Sequence, residues 1–205
     1  HTCSLGNIAI VTGTIFFKQG QKQIQEMFDQ GVTAHVAGGG DSYYSISVGY
    51  DFVNIGNYSD DEVMENAISL IKRNPNLVFM RVHLQDLGGA GYDVTSSRGK
   101  IPSIWAEGSK YPEVAERADQ LLGKLVNTLK RTGKWSDTLL VVMADHGQAD
   151  TGWHPPFIEE SWRSPLVLVG PSIKADAKFA YSEAIDIAPT VCSVMGVDAP
   201  PEAIG

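Results

Sequence analysis

Thr138-Leu139-Leu140-Val141-Val142-Met143-Ala144, followed at once by Asp145-His146-Gly147, decides the fold. Seven uncharged, mostly branched residues ending in a polar turn read as a strand buried on both faces, the kind that fills the middle of a parallel sheet. Such a strand needs helices on both sides, and the flanking sequence offers them. Tyr111 to Arg131 places Val114, Ala118, Leu121, Leu122, Leu125, Val126 and Leu129 in one helical stripe. Further upstream, Ser59-Asp60-Asp61-Glu62 supplies an N-cap and an acidic first turn for a helix through about Lys72, and Leu77 to His83 reads as the next strand. Val32 to Ala37, ending in Gly38-Gly39-Gly40, is a strand preceded by a helix over Gln21 to Gln30 that Gly31 closes. Downstream, Leu166 to Val169 is another strand, Ile185 to Thr190 opens a last helix, and the tail from Val197 is a loop. Strands and amphipathic stretches in alternation predict an α/β protein: a three-layer α/β/α sandwich around a mostly parallel sheet.

A chain of 205 residues, 43% hydrophobic and 20% charged, suits one domain over residues 1–205. A net charge of −8 argues against holding a nucleic acid polymer on a broad basic surface, so an anionic substrate must be gripped locally. The two cysteines, Cys3 and Cys192, form no metal-binding or disulfide pattern, and no apolar run is long enough to span a membrane. His1-Thr2-Cys3-Ser4 lacks the parts of a signal peptide, which leaves localisation open, as composition leaves oligomeric state open.

Asp145 and His146 stand at the carboxyl end of the central strand, where α/β folds build their sites, and His154 follows eight residues after His146 in Gly152-Trp153-His154-Pro155-Pro156. Taken alone, Asp-His-Gly is as well explained by a capped turn with surface histidines. A second imidazole within one loop shifts the reading to a divalent metal, because one carboxylate and two imidazoles suit a borderline ion such as zinc. Trp105, Trp153, Phe157 and Trp162 are as easily core or rim packing as pocket lining, and are assigned no role.

The run VVMADHGQADTGWHPP resembles the strand, Asp-His-Gly turn and Gly-x-His of the alkaline phosphatase superfamily, in particular its nucleotide pyrophosphatase/phosphodiesterase, phosphonoacetate hydrolase and sulfatase branches. Arg163 to Pro171, Ile185 to Thr190 with Met195-Gly196-Val197, and Asp119 to Gly123 resemble further segments of that superfamily in the same order. The likeness implies an alkaline phosphatase-like domain whose N-terminal strand is lacking from this chain. It also implies a hydrolase of small phosphate or sulfate esters using a divalent metal, two zinc ions with manganese or calcium as alternatives.

Cys3 to Gly13 resembles the nucleophile segment of the superfamily, in which a Thr, Ser or modified Cys stands ten residues before the Gly of a Thr-Gly pair; that spacing selects Cys3, with Thr2 as the neighbouring substitute. A helix N-terminus there would stabilise both the anionic nucleophile and the incoming oxyanion. Sulfatases modify the cysteine of a Cys-x-Pro-x-Arg pattern, and here Leu5 stands for the Pro and Asn7 for the Arg. Val82 to Tyr92 resembles a segment ending in Asp-x-x-Gly-His, with Gly88 in place of the Asp and Tyr92 in place of the His. Asp86 is the remaining carboxylate for a second metal with His154, and His83 reads as a structural histidine. The resemblance therefore implies phosphate mono- or diester hydrolysis through a covalent intermediate, with a formylglycine sulfatase or a non-catalytic metal-binding relative as alternatives.

Overall fold

The computed structural model describes residues 8–12, 32–37, 51–55, 58–171, 173–201 and 203. Among the described residues six strands form one sheet: β1 (Ile8–Thr12), β2 (Val32–Ala37), β3 (Phe52–Ile55), β4 (Leu77–His83), β5 (Thr138–Met143) and β6 (Leu166–Val169), in the order β3-β2-β4-β1-β5-β6. All neighbours are parallel except β5 and β6, which pair antiparallel with Leu140 opposite Val169. The helices are α1 (Asp60–Arg73), α2 (Asp86–Ser96), α3 (Tyr111–Arg131), the short α4 (Glu159–Trp162) and α5 (Ile187–Met195).

The two faces of the sheet are covered by separate cores, which is the expected three-layer arrangement. On one face Val63, Met64, Ala67 and Ile71 of α1 and Leu121, Leu125 and Leu129 of α3 meet Leu77, Met80 and Val82 of β4 and Leu140 of β5. On the other, Ile187, Val191 and Met195 of α5 pack on Phe79, Leu139 and Val141. Residues 139 to 141 thus alternate between two cores, the physical reason that β5 is apolar throughout.

Two features differ from the sequence expectation. The segment following Cys3 is extended where described: Ile8-Ala9-Ile10-Val11-Thr12 is a central strand and not part of a helix. Four of its five residues are β-branched, and it lies between β4 and β5 with Val11 opposite both Arg81 and Val141. The nucleophile candidates Cys3 and Thr2, and the helix expected over Gln21 to Gln30, lie outside the described residues. The second difference is α2, which occupies a glycine-rich segment that carries little helical signal.

The start of α2 is fixed by a reciprocal arrangement with α1. Asp60 accepts from the amides of Gln85 and Asp86 at 2.7 and 3.2 Å, while Asp86 accepts from the amide of Asp60 at 3.1 Å, so each helix start is capped by a carboxylate of the other. Asp60 is 2% exposed, and burial holds its carboxyl above the ordinary range despite the two amides pulling the other way. The protonated form is thus relatively favoured by folding; that contribution is complete below the unfolded-state pKa and lost as pH rises through the folded one. Asp60→Asn, which keeps an acceptor, should therefore gain stability over the wild type as pH rises from about 3.5 to 7 in urea titrations. A difference independent of pH would refute this. Asp60→Ala, which removes the acceptor, should lose about 1–2 kcal/mol at neutral pH.

Candidate active site

The site is built where β5 runs out. Beyond Met143 the Asp145 carboxylate folds back to accept the amide of His146 at 3.1 Å, turning the chain. The Gly147 amide then donates to Ser161 O of α4 at 2.8 Å. A Cβ on Gly147 would run into Glu160 O and Arg163 O, so only glycine lets the turn lie this close to α4.

The following turn is braced from several sides. Ala149 and Gly152 close it through Ala149 N to Trp153 O and Gly152 N to Ala149 O, both 2.9 Å. Ile104 N reaches Asp150 O at 2.8 Å, Trp105 Nε1 reaches Asp150 Oδ1 at 2.9 Å, and Thr95 Oγ1 of α2 reaches Thr151 O at 2.8 Å. Gln148 Nε2 donates to Gly152 O, and Gly152, at φ +81°, faces Gly91 of α2 backbone to backbone. The loop is therefore held to α2 and to the segment before α3.

These braces bring His154 back to His146: the ring centroids are 4.0 Å apart and the planes tilt by 36°. Trp153 stacks on the other side of His154 at 4.4 Å and 25°. His146 Nδ1 lies 2.7 Å from Gly147 O. A carbonyl only accepts, so Nδ1 carries a proton. His146 Nε2 lies 3.6 Å from Asp145 Oδ2. A protonated ring makes this contact an ion pair, and a neutral ring sets two acceptors side by side with room for a cation between them.

The spacing agrees with a metal ion. Two donors each bound at zinc–nitrogen or zinc–oxygen distance in a tetrahedron are about 3.4 Å apart. Asp145 and His146 thus fit as a pair, and His154 brings a third donor of the right kind alongside. Among the described residues, no group of three or more His, Cys, Asp or Glu side chains converges as a complete metal site. The described donors are suitable in chemistry and spacing, and do not by themselves close a coordination shell.

The remaining candidates have partners of their own. Asp86 is the first residue of α2, and its carboxylate is engaged by Asp60 N. Tyr92, which stands where the resemblance expects a histidine, is 59% exposed on the same helix. His83 has Arg81 Nη2 3.4 Å from Nδ1 and Gln85 Nε2 3.1 Å from Nε2, in keeping with a structural histidine. Trp153 is the contributor that sequence reasoning left without a role. Its signal was the position between Gly152 and His154.

Comparisons with known proteins agree with this architecture. A family model described as Sulfatase matches residues 11–197. PehA of Trinickia caryophylli, a multifunctional alkaline phosphatase superfamily protein, is 30% identical over 120 residues, which is 55% of this chain and 23% of PehA. The choline-sulfatase of Rhizobium meliloti (strain 1021) is 31% identical over 83 residues, 38% of this chain and 16% of that enzyme. The matched stretches thus cover less than a quarter of the length of these two relatives. A crystal structure of an alkaline phosphatase superfamily protein from Vibrio parahaemolyticus shares the fold, with a TM-score of 0.64 over 89% of this chain and 49% of that chain at 22% identity.

Proposed function

The chain belongs to the sulfatase family, within the alkaline phosphatase superfamily, and on that premise we propose that it is a metal-dependent hydrolase of phosphate mono- or diesters acting through a covalent intermediate. One observation carries the reading: the Asp145 carboxylate and His146 Nε2 lie 3.6 Å apart with the His154 ring beside them. A carboxylate and an imidazole facing each other on a loop clamped this firmly support a cation site prepared in advance.

In this proposal Asp145 and His146 hold one cation, and His154 with Asp86 a second. When bound, a divalent ion supplies charge neutralisation for the non-bridging oxygens and a lowered pKa for a nucleophile or water. Cys3, or Thr2 beside it, attacks phosphorus and the alcohol leaves; a water then breaks the phosphoenzyme bond, regenerating the nucleophile and releasing phosphate or its monoester. Gly147 O fixes the His146 tautomer, and the Asp145 turn holds the carboxylate in place before substrate arrives.

Sulfate esters are the second reading, favoured by the match to a choline-sulfatase and by cysteine at the nucleophile position. Against it stand Leu5 and Asn7, which break the modification pattern. Turnover of p-nitrophenyl phosphate, bis(p-nitrophenyl) phosphate and p-nitrophenyl sulfate separates the two, and mass spectrometry showing formylglycine at Cys3 would establish the sulfatase. Metal analysis addresses the site itself. The purified protein should carry two equivalents of zinc or manganese, and a chelator should lower its melting temperature. Metal-free protein with an unchanged melting temperature on adding zinc or manganese would overturn the proposal in favour of a non-catalytic relative.

A further inference from the structure

We propose that Trp153 forms the leaving-group subsite of this centre, presenting its outer indole face to a substrate whose ester oxygen is carried by a flat, apolar ring. The proposal rests on the ester-hydrolase reading and adds to it which alcohol is recognised.

Trp153 is 46% exposed although it stacks on His154, so one indole face is covered by the imidazole and the ring still meets solvent. His154 in turn lies 4.0 Å from His146, which makes a ladder of three rings leading from the surface to the Asp145–His146 pair. From a group bonded at that pair the next ring along the ladder is His154, and Trp153 is the ring beyond it, within reach of a leaving group that extends past His154. Leaving a large indole in water is unfavourable, and holding it there in one orientation adds an entropic cost. The loop nevertheless holds it firmly: the Trp153 carbonyl closes the turn to Ala149 N, and Asp150 and Thr151 immediately before it are tied to Ile104, Trp105 and Thr95. A rigid, exposed aromatic beside a reactive centre has the character of a binding anchor, because its surface is given up to a ligand at little further loss of freedom.

The surroundings narrow the ligand. Trp105 and Trp162 are also exposed, and each spends its indole N–H inside the protein, on Asp150 Oδ1 and Pro156 O. With Phe157 they leave large aromatic surface exposed in these segments. Apart from the two histidines, the ionisable groups nearby in the chain, Asp145, Asp150, Glu159 and Glu160, are acidic, and Arg163 is paired with Glu159 at 2.9 Å. A leaving group bearing further phosphates is disfavoured there, whereas an uncharged ring is accepted. Phenolic rings and the apolar face of a pyranose share this chemistry.

The test compares Trp153→Ala and Trp153→Phe with the wild type on phosphate and sulfate esters of phenol, of the C6 hydroxyl of glucose and of methanol. The expected result is that Trp153→Ala lowers kcat/KM for a ring ester about tenfold relative to the methyl ester, mainly through KM, and that Trp153→Phe recovers most of it. Whichever ring ester suffers more names the ring class. Equal losses on all three esters, or no loss, would overturn the subsite. A second readout does not require turnover: 5-fluorotryptophan is incorporated and the Trp153 resonance, assigned by its absence in Trp153→Phe, is followed by NMR during titration with phenyl phosphate and glucose 6-phosphate. A saturable shift confined to Trp153 supports the subsite even where no ester is hydrolysed, which would count against the hydrolase reading alone. No shift with either probe overturns the subsite while leaving that reading intact.

Discussion

Replacing His154 by alanine, or Asp145 by asparagine, should lower turnover of p-nitrophenyl phosphate esters by about 100-fold or more while the protein keeps its melting temperature to within a few degrees. The two halves of this expectation have different sources. The large kinetic effect follows because each change removes a donor from a group that works as a unit, and such losses are not made good by the members that remain. The small stability effect follows from placement. Asp145 and His146 are partly exposed at the end of β5, outside both hydrophobic cores, and His154 contributes stacking with Trp153 and His146 worth about 1 kcal/mol. Metal content read on the same preparations should fall with turnover. Unchanged turnover in both variants would remove these residues from the chemistry.

The second large effect is expected at Gly152, which touches no substrate. Alanine there must adopt φ +81° and drive its Cβ into Gly91 O and against Val94 Cβ at 2.9 Å. Gly133 offers the matching control, since it has φ +72° with nothing within 4 Å of the place a Cβ would take. Gly133→Ala should therefore show the conformational cost alone, about 1 kcal/mol. Gly152→Ala adds overpacking of backbone against backbone, about 1–3 kcal/mol more. On a domain of this size the difference corresponds to about 2–12 °C in Tm. It should also weaken zinc uptake, since the only way to relieve the contact is to lift residues 149–153 from α2 and carry His154 away from His146. Equal Tm values for the two variants would show that Gly91 and Gly152 are not in contact.

Asp86 illustrates where a motif stops being informative. It stands two residues upstream of the place where the resemblance expects the Asp, and as the carboxylate that remains it is the candidate metal ligand; helix capping makes a further demand on the same carboxylate, whose Oδ2 accepts from Asp60 N. Nothing in the linear order of residues announces that demand, because the partner amide is 26 residues away and becomes a neighbour only once α1 and α2 start from the same corner of the sheet. The helical course of Asp86 to Ser96 was hidden for a related reason. Glycines at 88, 89 and 91 lower helix propensity, and Gly91 is tolerated because its missing side chain makes room for the Gly152 carbonyl and the Gln148 amide.

By itself the sequence determined the layered architecture and the identity of the carboxylate and imidazoles at the end of β5. Periodicity and capping are local properties, and Thr138 to Met143, Tyr111 to Arg131 and the Ser59 cap carry them within a few residues of chain. Only the tertiary structure decided that His154 returns to His146, that Trp153 extends the stack, and that Asp86 also caps α1. The first two outcomes depend on two glycine backbones meeting between α2 and the loop after β5, a contact between residues 61 positions apart. Short-range pattern does not encode such a contact; close packing does.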